Sequence, residues 1–234
     1  ELGNQEKQTQ AYIVQKLKEF GVDEVLVGYK NSPTAVIGVI NPEKADAIGL
    51  RADIDALPIK ENTGLAFESK AKGQMWGKTS DVSHMCGHDM HMAMLLSAAR
   101  ILAAHKVDVP RKVVLVFQPA EEGDSITNPF VSDKPKLSGA RALVEDGLLE
   151  QFGIKQMYGI HVMARVQAGK MLVAQGTALN SADAFQIDIE GRQAHGAMPW
   201  TGVDATLTAA QTVVALQQIV SRNVNLTQGM GVIT

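Results

Sequence analysis

The run Lys112-Val-Val-Leu-Val-Phe117 has no polar residue between its lysine and the Gln118-Pro119 that closes it. A strand with one wet face alternates apolar and polar residues. A strand that is apolar throughout is buried on both faces, which requires layers above and below the sheet. Ala47 to Leu50 is a second such run, leading into Arg51-Ala52-Asp53-Ile54-Asp55, and Met157 to Val162 reads as a third. Val25 to Tyr29 and Ala35 to Ile40 also read as strands, the latter stopped by Asn41-Pro42. Helical spacing intervenes. Gln5 to Phe20 carries Ala11, Ile13, Val14, Leu17 and Phe20 and stops at Gly21, Met90 to Ala104 forms a strong apolar helix, and Gly139 to Leu149 reads as another. The pattern predicts an α/β fold with a mixed or parallel central sheet flanked by helices. In open sheets of this kind, ligands sit beyond the carboxyl ends of the strands. Asp53, Asp55, Glu121, Glu122 and His161 all fall at or just past such ends.

Residues 58 to 83 read as a long polar loop, a length usually tied to function or disorder. Met171 to Ala174 reads as a strand. Near Asn180 the texture changes: Ala184 to Glu190 alternates as a half-exposed strand, and Asp204 to Val220 reads as an amphipathic helix. A first domain over 1–176 and a second starting at 177 are expected, with no internal repeat. The chain opens at Glu1 without a methionine and closes on Gly229 to Thr234, which reads as the start of a strand. A longer natural chain is therefore expected.

Composition excludes several classes. The 22 Lys+Arg against 25 Asp+Glu give a formal charge of -3, which does not suit a broad basic nucleic-acid face. No apolar run approaches the roughly 20 residues that span a bilayer. Cys86 is the sole cysteine, so no intrachain disulfide forms. A cytoplasmic location is the expectation.

Four clusters are candidates for chemistry. In Ser83-His84-Met85-Cys86-Gly87-His88-Asp89-Met90-His91, thiolate and imidazole are typical donors for zinc and similar ions. Residues two apart do not share a helix face. Cys86 and His88 converge only in a looped backbone, which Gly87 permits, with Asp89 as N-cap of the helix beyond. The plainer alternative is a buried free cysteine beside loop histidines. In Phe117-Gln118-Pro119-Ala120-Glu121-Glu122-Gly123, adjacent carboxylates diverge, so that one can bind a metal while the other takes a proton; the alternative is a solvated acidic loop. His161 is either a ligand or a satisfied core histidine. Gly191 to Pro199 carries His195 in what is otherwise a plain turn. His105 suits the C-terminal dipole of its helix, and Met85, Met90, Met92 and Met94 are expected to fill core.

Taken in order, RADIDALP (51–58), HMCGHDMH (84–91), FQPAEEG (117–123), GIHV (159–162) and GRQAHGAMP (191–199) resemble the di-metal amidohydrolases that include aminoacylase, hippurate hydrolase and the auxin-conjugate hydrolases. The resemblance spans almost the whole chain. It implies a catalytic α/β domain over 1–176 and, from 177 to 234, the beginning of an inserted α+β lid that makes a homodimer. It places metal ligands at Cys86, His88, Glu122 and His161, the general base at Glu121, and at His195 a lid histidine that reaches the partner subunit's site. Asp53, Asp55 and Asp89 stand behind the ligands, with Asp55 orienting one of them. The family's last metal-ligand histidine has no counterpart, since His195 is the final histidine here. The 234-residue chain alone is therefore expected to be a poor enzyme. Asp124 to Leu137 is longer than in many relatives and is expected to alter the site rim.

The implied function is hydrolysis of the amide bond of N-acyl amino acids or small conjugates by metal-activated water with a glutamate base. Two divalent ions are implied, Zn or Mn first, with Co or Ni as alternatives. A dipeptidase, a deacetylase of an N-acetyl intermediate, and a non-catalytic binding or dimerising fragment stay open as alternatives. No nucleic-acid or membrane partner is expected.

Overall fold

In chain order the elements are α1 (Lys7–Glu19), β1 (Glu24–Tyr29), β2 (Ser32–Ile40), β3 (Ala47–Asp53), β4 (Lys72–Met75), β5 (Lys78–Asp81), α2 (His88–Ala104), β6 (Lys112–Gln118), α3 (Gly139–Glu145), α4 (Leu148–Phe152), β7 (Ile154–Gly159) and α5 (Ala205–Gln218). They come from a computed structural model that describes residues 1–234 apart from 134, 135, 177, 180 and 226. The chain divides into two units, Glu1–Arg165 and Val166–Thr234.

The apolar run 112–117 becomes β6, the middle strand of a five-stranded sheet ordered β1-β2-β6-β3-β7. β1 and β2 pair antiparallel, as do β2 and β6; β3 pairs parallel with both β6 and β7. The sheet is thus mixed, as expected. Both its faces are covered. Val113, Leu115 and Phe117 join Val36 and Ile40 under Ile13 and Leu17 of α1 and Leu95 and Ala99 of α2. Val114 and Val116 point the other way, with Ala35, Ile37 and Val39, onto Leu143 of α3 and Leu148 and Phe152 of α4. This is the physical content of the unbroken apolar run: odd and even positions each have their own core.

Four sequence expectations change here. The loop 58–83 contains the hairpin β4–β5, whose turn residues Trp76 and Gly77 both have positive φ (+52° and +78°). Positive φ at both turn positions is the geometry that matches strand twist, but the strands' polar composition hides them from pattern reading. The helix expected over 139–149 breaks at Gly147, φ +85°, into α3 and α4. The third strand runs Ile154–Gly159, ending before His161. Met85 and Met90 are exposed rather than core filler, because they flank the loop and first turn at the open end of α2.

In the second unit, α5 forms where a helix was expected, with the Asp204 carboxylate accepting from the Leu207 N–H at 2.8 Å. Among the described residues, 171–174 and 184–190 form no strand. Among the described residues no strand lies alongside either segment to take up its hydrogen bonds, and alternation alone does not hold an isolated strand. No helix among the described residues is long and apolar enough to cross a membrane.

Candidate metal centre

The carboxyl ends of β3, β6 and β7 and the amino end of α2 meet. β3 ends at Asp53, with Asp55 just beyond. β6 runs into the turn Pro119 to Gly123, which presents Glu121 and Glu122. β7 runs into His161, and α2 begins at His88 with Cys86 in the preceding loop. Gly87 caps α2 in the left-handed conformation, φ +84°. That kink lets Cys86 and His88 converge, as the sequence argument required. A methyl group there would lie 2.3 Å from Val162 Cγ2, so the cap also depends on the close approach of the β7 extension.

The hydrogen-bond partners of His88 and His161 imply which ring nitrogen of each carries the proton. The Nδ1–H of His88 donates to Asp55 Oδ1 at 3.2 Å, leaving Nε2 as a lone pair. The other Asp55 oxygen accepts the Glu122 backbone N–H at 2.9 Å, so one buried carboxylate holds both the His88 ring and the Glu122 backbone. His161 Nδ1–H donates to the Val162 carbonyl at 2.6 Å, and its Nε2 faces Cys86 Sγ at 3.5 Å. An ion bonded to sulfur at about 2.3 Å and nitrogen at about 2.0 Å with tetrahedral angles holds them roughly 3.5 Å apart. His88 Nε2 is buried without a hydrogen-bond partner. Around it stand Asp53 Oδ2 at 3.7 Å, Glu121 Oε2 at 3.7 Å and Glu122 Oε1 at 3.8 Å. An orphaned buried nitrogen facing carboxylates beyond hydrogen-bond reach suits cations between them. Cys86, His88 and His161 form one possible ligand group, and His88, Glu121 and Glu122 another. The residues present therefore fit divalent ions.

Asp53, His88 and His91 form a third possible group, but His91 has no lone pair to give. Its Nε2 accepts the Val162 N–H at 2.9 Å and its Nδ1–H donates to Asp53 Oδ1 at 2.6 Å. Arg51 Nη1 donates to the other Asp53 oxygen at 2.8 Å. This buried network orients the segment that carries His161. The sequence motif contains His91 but assigns it no role; its spacing of three from His88 on α2 is the signal that points to it. Asp89 is a correction of the opposite kind. It is exposed in the first turn of α2 and does not cap it, because Gly87 occupies the cap position. His195 lies exposed in the second unit, its Nδ1 accepting from the Ala197 N–H at 3.1 Å. Asp124, which opens the long segment after Glu122, is stapled by Asn4 Nδ2 at 3.0 Å and by the Trp76 indole N–H, which reaches its carbonyl at 2.9 Å. Trp76 in turn meets Phe130 edge-on.

Electrostatics follow from this crowding. Burial and the Glu122 and Asp53 charges raise the Glu121 carboxyl, toward the range useful for proton transfer near neutrality. Burial pulls His88 down, but the Asp55 hydrogen bond and the Asp53 charge outweigh it, and the net shift is upward. Burial, then Glu122 and Glu121, push the Cys86 thiol up to about 11. Without ions the sulfur carries its proton, and coordination through Sγ must expel it. Metal affinity should therefore rise with pH between 6 and 8, by up to about tenfold per unit for that proton. Titration calorimetry in buffers of different ionisation enthalpy checks it; pH-independent binding with no proton release overturns it.

A family model described as peptidase family M20/M25/M40 matches residues 49–232. The chain belongs to this family. It is 40% identical to the N-acetyl-L-cysteine deacetylase of Bacillus subtilis over 96% of this chain and 48% of that protein. It is 39% identical to the hippurate hydrolase of Campylobacter jejuni over 96% of this chain and 52% of that one. A Bacillus subtilis structure described as a dinuclear metal-binding peptidase of the M20 family superposes with a TM-score of 0.54 at 34% identity, covering 69% of this chain and 38% of that chain. The chain thus spans about half the length of the curated relatives it matches.

Proposed function

We propose that this M20 chain is the metal-binding part of an amidohydrolase that cleaves the amide bond of N-acyl amino acids or related small conjugates. The observation that carries the reading is the unpartnered, buried Nε2 of His88 between Glu121 and Glu122, beside the Cys86–His161 pair. The relatives named for N-acetyl-cysteine and hippurate supply the substrate class. Cys86, His88, Glu122 and His161 would hold two divalent ions, Zn or Mn first and Co or Ni as alternatives, since their donors mix sulfur, nitrogen and oxygen. When bound, such ions polarise a carbonyl oxygen and acidify water.

The chain's own residues do the rest. Glu121, about two-fifths exposed, is open to a small substrate, unlike His88 at 1%. It takes a proton from water and passes it to the leaving nitrogen. Asp55 holds His88 and the Glu122 backbone, while Arg51, Asp53 and His91 fix the Val162 peptide beside His161. Asp53 Oδ2 also faces His88 Nε2.

The test uses the full-length protein. Two ions per chain, loss of N-acetyl- and N-benzoyl-amino acid hydrolysis on chelation, and its return with added Zn or Mn are expected. A fully loaded protein inactive on both classes overturns the reading. It would leave the dipeptidase or deacetylase alternatives to be scored on dipeptides and N-acetyl diamino acids, and the non-catalytic alternative if none turns over.

For the second unit we propose a lid that joins two copies, with His195 acting across the interface. Its support is the GRQAHGAMP motif and the exposure of the imidazole. A cytoplasmic location is part of the proposal; the single cysteine is compatible with it but does not require it. Mixing His195→Ala subunits with Glu121→Gln subunits should restore up to about a quarter to a half of the activity if each active site draws on both chains. Proven heterodimers without activity would remove the trans role.

A further inference from the structure

We infer that Glu6, a buried carboxylate ahead of α1, is a positioning residue that clamps the turn at Ala120 and so aims Glu121 at the reacting atoms. The inference rests on the reading of Glu121 as the base. Ala120 sits at φ +50°, a left-handed conformation that alanine adopts at a cost, and it is buried. Such a residue persists only where its surroundings over-determine it. Here the Ala120 N–H donates to Glu6 Oε1 at 2.9 Å. The other oxygen of the same carboxylate accepts from Thr34 Oγ1 on β2 at 2.6 Å, so the acceptor is itself held by the sheet. The backbone packs in support: a Cβ on Gly3 would lie 2.1 Å from the Gly123 carbonyl, and one on Gly139 would lie 2.8 Å from the Ala120 carbonyl.

The arrangement has a symmetry about the base. The N–H of Ala120 is fixed by Glu6 and the N–H of Glu122 by Asp55, both acceptors fully buried. Glu121 is the one residue between them. Its backbone is pinned on both sides, and its direction follows from the left-handed turn just before it. Asp55 has a direct tie to the metal-ligand set through His88. Glu6 has none, so its effect on the site passes through the turn.

Burial raises the Glu6 carboxyl above the ordinary range. A neutral amide can make the same two contacts, accepting from Ala120 and donating to Thr34 Oγ1. That separates the clamp from a need for negative charge.

The test uses full-length, metal-loaded enzyme and an N-acyl amino acid. Glu6→Ala should lower kcat by about 10–100-fold, with KM within roughly threefold, because a displacement of about 1 Å in a reacting group costs this much. Metal content should stay at the wild-type value. Glu6→Gln should restore kcat. Ala120→Gly in the Glu6→Ala background should recover about tenfold, since glycine takes positive φ without the steric penalty. Amide exchange of the 119–123 segment should speed up in Glu6→Ala and slow again in Glu6→Gln. A residue that only stabilises the fold would not be rescued in kcat by the glycine. Wild-type kcat in Glu6→Ala, joint loss of kcat and metal, or no recovery with Ala120→Gly overturns the proposal. If Glu6→Ala does not fold, Thr34→Val replaces it, with a kcat loss of about 3–10-fold from the loosened carboxylate, again reversed by Ala120→Gly; an unchanged rate there overturns the clamp. If wild-type enzyme hydrolyses no amide, the function proposal fails, and the exchange measurement still decides whether Glu6 holds the turn.

Discussion

Glu121→Gln should keep both ions and lose turnover, whereas Glu122→Gln should lose ions first. The two residues are chemically identical and adjacent, so only geometry separates them. The Glu122 backbone N–H is tied to Asp55, which also orients His88, and this shared tie is the ground for proposing Glu122 as the metal ligand of the two. Glu121 is the more exposed of the pair, and its carboxyl is raised by burial and by its neighbours. Glutamine keeps the shape of either side chain and removes its charge and basicity. At Glu121 this should lower kcat by about 10²–10⁴-fold, the usual contribution of a general base, with substrate binding little changed. At Glu122 it removes an anionic ligand, and activity should partly return with excess metal. Metal counting and steady-state kinetics on one substrate check both. If Glu121→Gln loses metal while Glu122→Gln stays loaded and inactive, the assignment is reversed. If neither changes metal content or rate, the turn is a solvated acidic loop and the metal-centre reading fails with it.

Gly87→Ala should disable the site from a position that offers no donor atom. The residue sits at φ +84°, where an alanine pays about 1–2 kcal/mol. Its new methyl would also lie 2.3 Å from Val162 Cγ2. Val162 cannot retreat freely, because its N–H is held by His91 and its carbonyl by His161. The strain therefore falls on Cys86, His88 and His161, the proposed ligands. Apparent metal affinity should drop by about 10–100-fold, the range for losing an orienting contact around a metal. Val162→Ala in the same chain removes the clashing carbon but not the left-handed penalty, so it should recover part of the affinity and not all. Wild-type metal affinity in Gly87→Ala would show that the cap does not set the ligand geometry.

These predictions draw on different depths of information. That β6 is buried on both faces followed from five consecutive apolar side chains, because each position then needs its own core whichever way the pleat runs. The approximate place of every major strand and helix of the first unit followed in the same way, and so did the strand-end location of Asp53, Glu121, Glu122 and His161. What misled was local. The hairpin β4–β5 is polar on both strands, so neither period shows. The segment 184–190 shows the period of a strand but has no neighbour to pair with among the described residues. Gly147 looks like any helix glycine until its φ of +85° breaks α3 from α4.

Which side chains are available for metal chemistry, and where along the chain they stand, is legible before any folding. Residue type and spacing relative to buried strands are properties of the chain alone. The fold settles whether His88 and His91 keep a nitrogen free: His88 does, and His91 does not. That choice depends on partners distant in sequence: Asp55 for His88, Asp53 and Val162 for His91. It is why His91, three residues from His88 on the same helix and of the same type, is an orienting group. A hydrogen bond leaves no mark on composition or period; it exists only when the fold brings two groups within about 3 Å at the right angle.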